Sequence, residues 1–260
     1  MKIAILGAGA FGTALGGILA GNACDIDYYD TRIERERLCD VVAGSKYILI
    51  VVPSASIPHV LPYLPTDIPL IIATKGILSG KTFEKFNDYM VLSGPGFADD
   101  IKAQKTTYLT ATDARVEELF KTDYLIFDAT DDRQGVLMCG ALKNVYAIYA
   151  GLLGLEKGSA KWEDYIEKAL AEMREILNLN EARGETVDLA CGVGDLRLTC
   201  AYPSRNYEFG DKLRQDLHYK PEKTVEGVSA LKKIRRGEIK VPEDAVILRE
   251  LIKISAGWDF

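Results

Sequence analysis

The sequence predicts an α/β protein, with an N-terminal Rossmann-like domain on a mostly parallel sheet and a C-terminal all-helical domain. Three observations predict it. The chain opens with an apolar run at residues 3–6 that breaks into Gly7, Gly9 and Gly12 and then into the helical Thr13-Ala14-Leu15. Short apolar runs alternate with helical patterns through the first half, as in a sheet of parallel strands joined by crossovers. From about Asp132 onward the pattern is helical throughout.

Each element has its reason. Residues 3–6 are apolar without a break, which suits a strand covered on both faces. Gly7 then allows a tight turn, Gly9 lets the backbone approach a pyrophosphate, and Gly12 lets helix and strand pack closely. The helix N-terminus offers its free N–H groups to the phosphates. Residues 26–29 form a second strand. Residues 47–52, Tyr-Ile-Leu-Ile-Val-Val, form a third that is again apolar throughout. Residues 70–73, 89–92, 107–110 and 124–127 supply further strands, with a helix over 114–120. Helices follow over 134–153 and 162–177, and shorter ones run to the C-terminus. The boundary falls near Asp131, which gives a dinucleotide-binding domain of residues 1–131 and a helical substrate-binding and catalytic domain of residues 132–260.

Composition narrows the function. With 260 residues, 48% of them hydrophobic, the chain has enough material for a sizeable core. A net charge of −6 argues against non-specific binding of nucleic acid. It leaves room for a small basic pocket that takes a phosphorylated substrate. Five cysteines without a CxxC pair, and two histidines apart from them, give no metal-ligand spacing. They read as free thiols in a reducing cytoplasm. The glycines interrupt the N-terminal apolar run, so a targeting segment is not indicated. No uninterrupted apolar run reaches the roughly 18 residues of a membrane span.

The cofactor is read at the end of the second strand. Asp30 stands where an acidic side chain binds the 2′-hydroxyl of the adenosine ribose, which favours NAD. Arg32, close by, is the alternative, able to face the 2′-phosphate of NADP. A third possibility is that Asp30 caps the following helix. Two other motifs fail. Gly76-Ile-Leu-Ser-Gly-Lys-Thr82 is one residue short of a phosphate-binding loop. Tyr219 and Lys223 have the spacing of a short-chain dehydrogenase pair, but Pro221 between them breaks the helix such a pair requires.

Several segments, in order along almost the whole chain, resemble one family, the bacterial-type NAD(P)-dependent glycerol-3-phosphate dehydrogenases. They are Gly7-Ala-Gly-Ala-Phe-Gly-Thr-Ala14, Val52-Pro-Ser54, Thr74-Lys-Gly76 and Ser93-Gly-Pro-Gly-Phe-Ala98. They continue with Gly140-Ala-Leu-Lys-Asn-Val145, Gly194-Asp-Leu196 with Thr199-Cys200, Ser204-Arg-Asn206 with Phe209-Gly210, and Val225-Glu-Gly227. Taken singly, Lys143 is also a solvent-facing lysine, Asp195 a helix cap and Arg205 a surface turn residue.

The resemblance implies reduction of dihydroxyacetone phosphate to sn-glycerol 3-phosphate by NADH or NADPH, a step supplying glycerophospholipid synthesis, in a cytoplasmic homodimer. By position, Lys143 is similar to the family's catalytic lysine, Asp195 to its charged partner and Lys75 to a second active-site lysine near substrate and nicotinamide. Gly94, Gly96, Asn144, Thr199, Ser204, Arg205 and Asn206 fall on substrate-binding positions. Ala10, Phe11, Ala98, Arg205 and Glu226, with Gly7, Gly9, Gly12, Asp30 and Lys75, fall on cofactor-binding ones. The chain departs from the family in having Gly96 for a serine or threonine, Phe11 for a tryptophan, and Thr31 for an arginine. It also lacks a stretch between the second strand and Tyr47. Two further readings stay open: a reductase of the same architecture acting on a 2-oxo acid, and a non-catalytic NAD-binding redox sensor.

Overall fold

The computed structural model describes residues 1–30, 36–77 and 79–258; Thr31, Arg32 and Leu78, met in the motifs above, lie outside them. The described chain divides into two compact units, one of Met1–Lys75 and Ser79–Arg133, the other holding Gly76 and the chain from Gln134 onward.

The first unit is a seven-stranded sheet with the order β2-β1-β3-β4-β5-β6-β7. Its strands are β1 (Lys2–Leu6), β2 (Asp25–Tyr29), β3 (Tyr47–Ile50), β4 (Leu70–Ile72), β5 (Tyr89–Ser93), β6 (Thr107–Ala111) and β7 (Leu125–Ala129). Its helices are α1 (Ala10–Gly21), α2 (Glu36–Val42), α3 (Ile57–Val60), α4 (Ala98–Lys102) and α5 (Ala114–Leu119). Residues 3–6 of β1 and 48–50 of β3 are fully enclosed, as continuous hydrophobicity requires. Ile3 and Ile5 of β1 share one cluster with Leu15 and Leu19 of α1 and Phe120 just after α5.

Every strand pair is parallel except β5–β6. A mostly parallel sheet was expected and is found, with the reversal among the described strands at β6. The third strand ends at Ile50 instead of Val52; Val51 still donates its N–H to the carbonyl of Leu6 in β1 at 2.8 Å before the chain turns into Pro53. The chain leaves β1 for β2 on one side and returns to β3 on the other. The gap beyond the carboxyl ends of β1 and β3 is therefore the topological switch point, where open α/β sheets bind ligands.

The second unit is helical, with α6 (Arg133–Leu152), α7 (Ala160–Leu179), α8 (Asp195–Thr199), α9 (Arg205–Gln215), α10 (Glu226–Arg235) and α11 (Val246–Ser255). A π-helical turn, Ala190–Gly194, leads into α8. Buried on every side, α6 is apolar all round, which marks a core helix. Its length and mean hydropathy match those of a membrane span, but 94% of that window is buried, as in a core helix. Close packing against α9 and α10 depends on glycine. A side chain at Gly210 would run into the carbonyl of Ile148, and one at Gly227 into that of Asn144.

Candidate active site

At the switch point the three glycines have separate structural duties. Gly7 has φ +115° and donates its N–H to the carbonyl of Tyr29 at 2.7 Å. A Cβ there would lie 2.9 Å from the carbonyl carbon of Val51. A Cβ on Gly12 would strike the carbonyl oxygen of Gly7, so strand and helix close on each other only without one. At Gly9 nothing stands within 4 Å of a Cβ, and no side chain caps α1. The backbone there is open to a large group, and the first amides of α1, from Ala10 and Phe11, have no partner within the helix. This arrangement fits a pyrophosphate. Asp30 directly follows the last residue of β2.

Lys75 follows β4 closely. Before it, Thr74 donates its hydroxyl to the carbonyl of Val52 at 2.8 Å and ties the ends of β3 and β4 together. The Lys75 ammonium donates to the carbonyl of Gly94 at 3.0 Å, which fastens it to the loop after β5. Gly94 has φ +151°, and a Cβ there would lie 2.8 Å from the carbonyl of Tyr108. Gly96 donates its N–H back to Gly94, and Ala98 opens α4. The structure thus brings Lys75, Gly94 and Gly96 together.

In the second unit, Lys143 lies midway along α6 with 5% exposure. Its ammonium donates to Oδ1 of Asp195 at 2.7 Å and to Oγ1 of Thr199 at 2.8 Å. Asp195 is 1% exposed. Asp195 and Thr199 are one turn apart on α8, which puts both oxygens on the face toward Lys143. Asp195 therefore does not serve as a solvent-facing cap; Gly194 occupies that position. The adjoining Cys200 thiol is pushed up by burial, with the nearby lysine charge pulling the other way, so it stays protonated.

The next residue of α6, Asn144, belongs to an asparagine pair. The Asn206 amide donates to Oδ1 of Asn144 at 2.9 Å, and Oδ1 of Asn206 accepts the N–H of Gly227 at 2.9 Å. These bonds assign both amide orientations and lock α6, α9 and α10 together. Ser204 caps α9, accepting the N–H of Tyr207. Arg205 is exposed at the first position of α9 and lines a cavity of about 210 Å³ with Glu208, Lys212 and Tyr219. Glu226 opens α10. Tyr219 and Lys223 lie between α9 and α10, outside any helix.

Sequence reasoning passes over three residues around α8. Trp162, Glu163 and Arg197 stand outside the matching motifs, and only packing reveals that they bear on the Asp195 helix.

The sequence model described as NAD-dependent glycerol-3-phosphate dehydrogenase C-terminus matches residues 132–257. Glycerol-3-phosphate dehydrogenase [NAD(P)+] of Agrobacterium fabrum is 34% identical over 80% of this chain and 78% of its own length. That of Pseudomonas entomophila is 33% identical over 92% of this chain and 86% of its own. The crystal structure of glycerol-3-phosphate dehydrogenase from Coxiella burnetii shares the fold, with a TM-score of 0.76 at 23% identity over 98% of both chains. Matched in sequence along most of its length, the chain belongs to the NAD(P)-dependent glycerol-3-phosphate dehydrogenase family.

Proposed function

We propose that this chain interconverts dihydroxyacetone phosphate and sn-glycerol 3-phosphate, with NAD as cofactor and NADP admitted, in a cytoplasmic homodimer that supplies glycerophospholipid synthesis. Residues 1–131 serve as the dinucleotide domain and residues 132–260 as the substrate and catalytic domain. The observation that carries the reading is the buried lysine held between carboxylate and hydroxyl, Lys143 with Asp195 and Thr199.

The cofactor, when bound, supplies or accepts the hydride at the carbonyl carbon. Gly7, Gly9 and Gly12 with the opening amides of α1 hold its pyrophosphate, and Ala10, Phe11, Ala98 and Glu226 complete its contacts. Asp30 takes the ribose hydroxyls, and its charge disfavours a 2′-phosphate beside it. As negative charge develops on the carbonyl oxygen, the Lys143 ammonium stabilises it and gives up a proton to it; in oxidation the neutral amine takes that proton back. Asp195 and Thr199 keep the ammonium aimed. Arg205 offers its planar fork to the substrate phosphate at the N-terminus of α9, where the helix dipole adds to the attraction. Lys75, Asn144, Ser204 and Asn206 orient the rest, with the backbone of Gly94 and Gly96 closing around the substrate.

The test is NADH or NADPH oxidation followed spectrophotometrically with dihydroxyacetone phosphate, beside a 2-oxo acid as control substrate. Turnover of the phosphate ester, faster with NADH, is expected. Lys143→Ala should lose about 10²–10³ in rate. Turnover of the 2-oxo acid alone, or tight NADH binding without any turnover, would reject the reading.

A further inference from the structure

We infer that Arg197 is a positioning residue, which, clamped by Glu163 and Trp162, holds α8 at the height where Asp195 and Thr199 meet the Lys143 ammonium. The inference rests on the reading of Lys143 as the proton-transferring group.

A helix of five residues has no stability of its own, since its few internal hydrogen bonds do not repay nucleation. The segment before it, Ala190–Gly194, contains two glycines, of which Gly192 packs against the backbone of Val187. Something outside α8 must fix it. On the front face, Asp195 and Thr199 point to Lys143. Arg197, two positions from Asp195 and so about 200° round the helix, projects from the back.

There its guanidinium is held twice. One terminal nitrogen donates to both carboxylate oxygens of Glu163, at 2.8 and 2.7 Å. Its central carbon lies 4.7 Å from the centroid of the Trp162 ring, a stacking contact that suits a planar cation. Trp162 is itself 1% exposed, and its indole N–H donates to the carbonyl of Cys200 at 2.8 Å, which pins the end of α8. Its backbone N–H is in turn held by the hydroxyl of Ser159, the cap of α7. The first turn of the long α7 thus grips the short α8 from behind, at its middle and its end.

The ion pair is partly exposed, with 41% of the Arg197 side chain and 44% of the Glu163 side chain accessible. Pairs of this kind contribute little to global stability. The clamp therefore acts on geometry, and its loss is separable from unfolding.

Arg197→Ala is expected to lower kcat about tenfold to a hundredfold, the scale of a small misplacement of a reacting group. KM for NADH and the melting temperature stay near wild type. Glu163→Gln should give the same change, and the double variant no more than either single one. Arg197→Lys, which keeps the charge but not the stacking plane, should recover part of the rate.

A second readout needs no turnover. Among the groups facing the Lys143 ammonium are Asp195, Thr199 and the protonated Cys200 thiol. Letting α8 drift takes the carboxylate away, so the ammonium should lose its proton at lower pH than in wild type. NMR of methyl-labelled lysines, assigned with Lys143→Arg, reports this directly. An unchanged Lys143 titration in Arg197→Ala and Glu163→Gln overturns the clamp even when the wild type is active. So does a kcat loss accompanied only by a fall in melting temperature. A wild type that turns over no substrate overturns the functional reading instead, and the titration still decides the clamp.

Discussion

Lys143 carries a charge inside a helix that is buried from Gly135 to Gly151 and mostly apolar, and there a carboxylate at 2.7 Å and a hydroxyl at 2.8 Å share its protons. Asp195→Ala should cost about 3–5 kcal/mol of stability, since it strands a buried ammonium. Lys143→Met combined with Asp195→Leu should regain most of that loss while leaving the protein inactive. Urea unfolding of the three proteins checks both statements. At this scale the sequence was legible through short motifs: Ala-Leu-Lys-Asn-Val and Gly-Asp-Leu name both partners, although 52 residues separate them. Arg197 was not legible, because its partner Glu163 sits 34 residues away on another helix and neither belongs to a motif.

Individual helices show the same division between pattern and packing. The apolar character of α6 and the presence of α7 could be read directly, although α7 begins at Ala160, capped by Ser159, before the expected 162. The way α11 begins could not. No side chain of its own caps it; instead the buried Glu172 of α7 accepts the N–H groups of Ile247 at 2.7 Å and Leu248 at 3.1 Å, and the hydroxyl of Tyr146 at 2.9 Å. Glu172→Ala leaves those donors buried and unanswered and should destabilise by about 2–4 kcal/mol. Burial also pushes the Glu172 carboxyl above its ordinary range, against the pull of those same donors. A raised acid binds its proton more tightly in the folded state. Its contribution is therefore full below the ordinary carboxylate range and declines as pH rises through the raised value. Thermal melts of wild type and Glu172→Gln across mildly acidic to neutral pH should show this slope only in the wild type.

For the molecule as a whole, alternating apolar runs and helical patterns implied a parallel sheet followed by helices, and both are present. Strand order and the reversal at β6 were hidden, since a run such as Thr107–Ala111 has no direction until it has a neighbour. The order leaves β2 at one end of the sheet, paired on the described residues with β1 alone. A terminal strand with vacant amides and carbonyls can recruit a further strand from another copy. Asp25, and Asp27 with the Lys2 ammonium 3.8 Å away, place carboxylates along this margin. Replacing them together with threonine should therefore turn a clear solution turbid on storage, with light scattering rising before any catalytic property changes. If the doubly substituted protein stays clear, something other than these two carboxylates guards the rim.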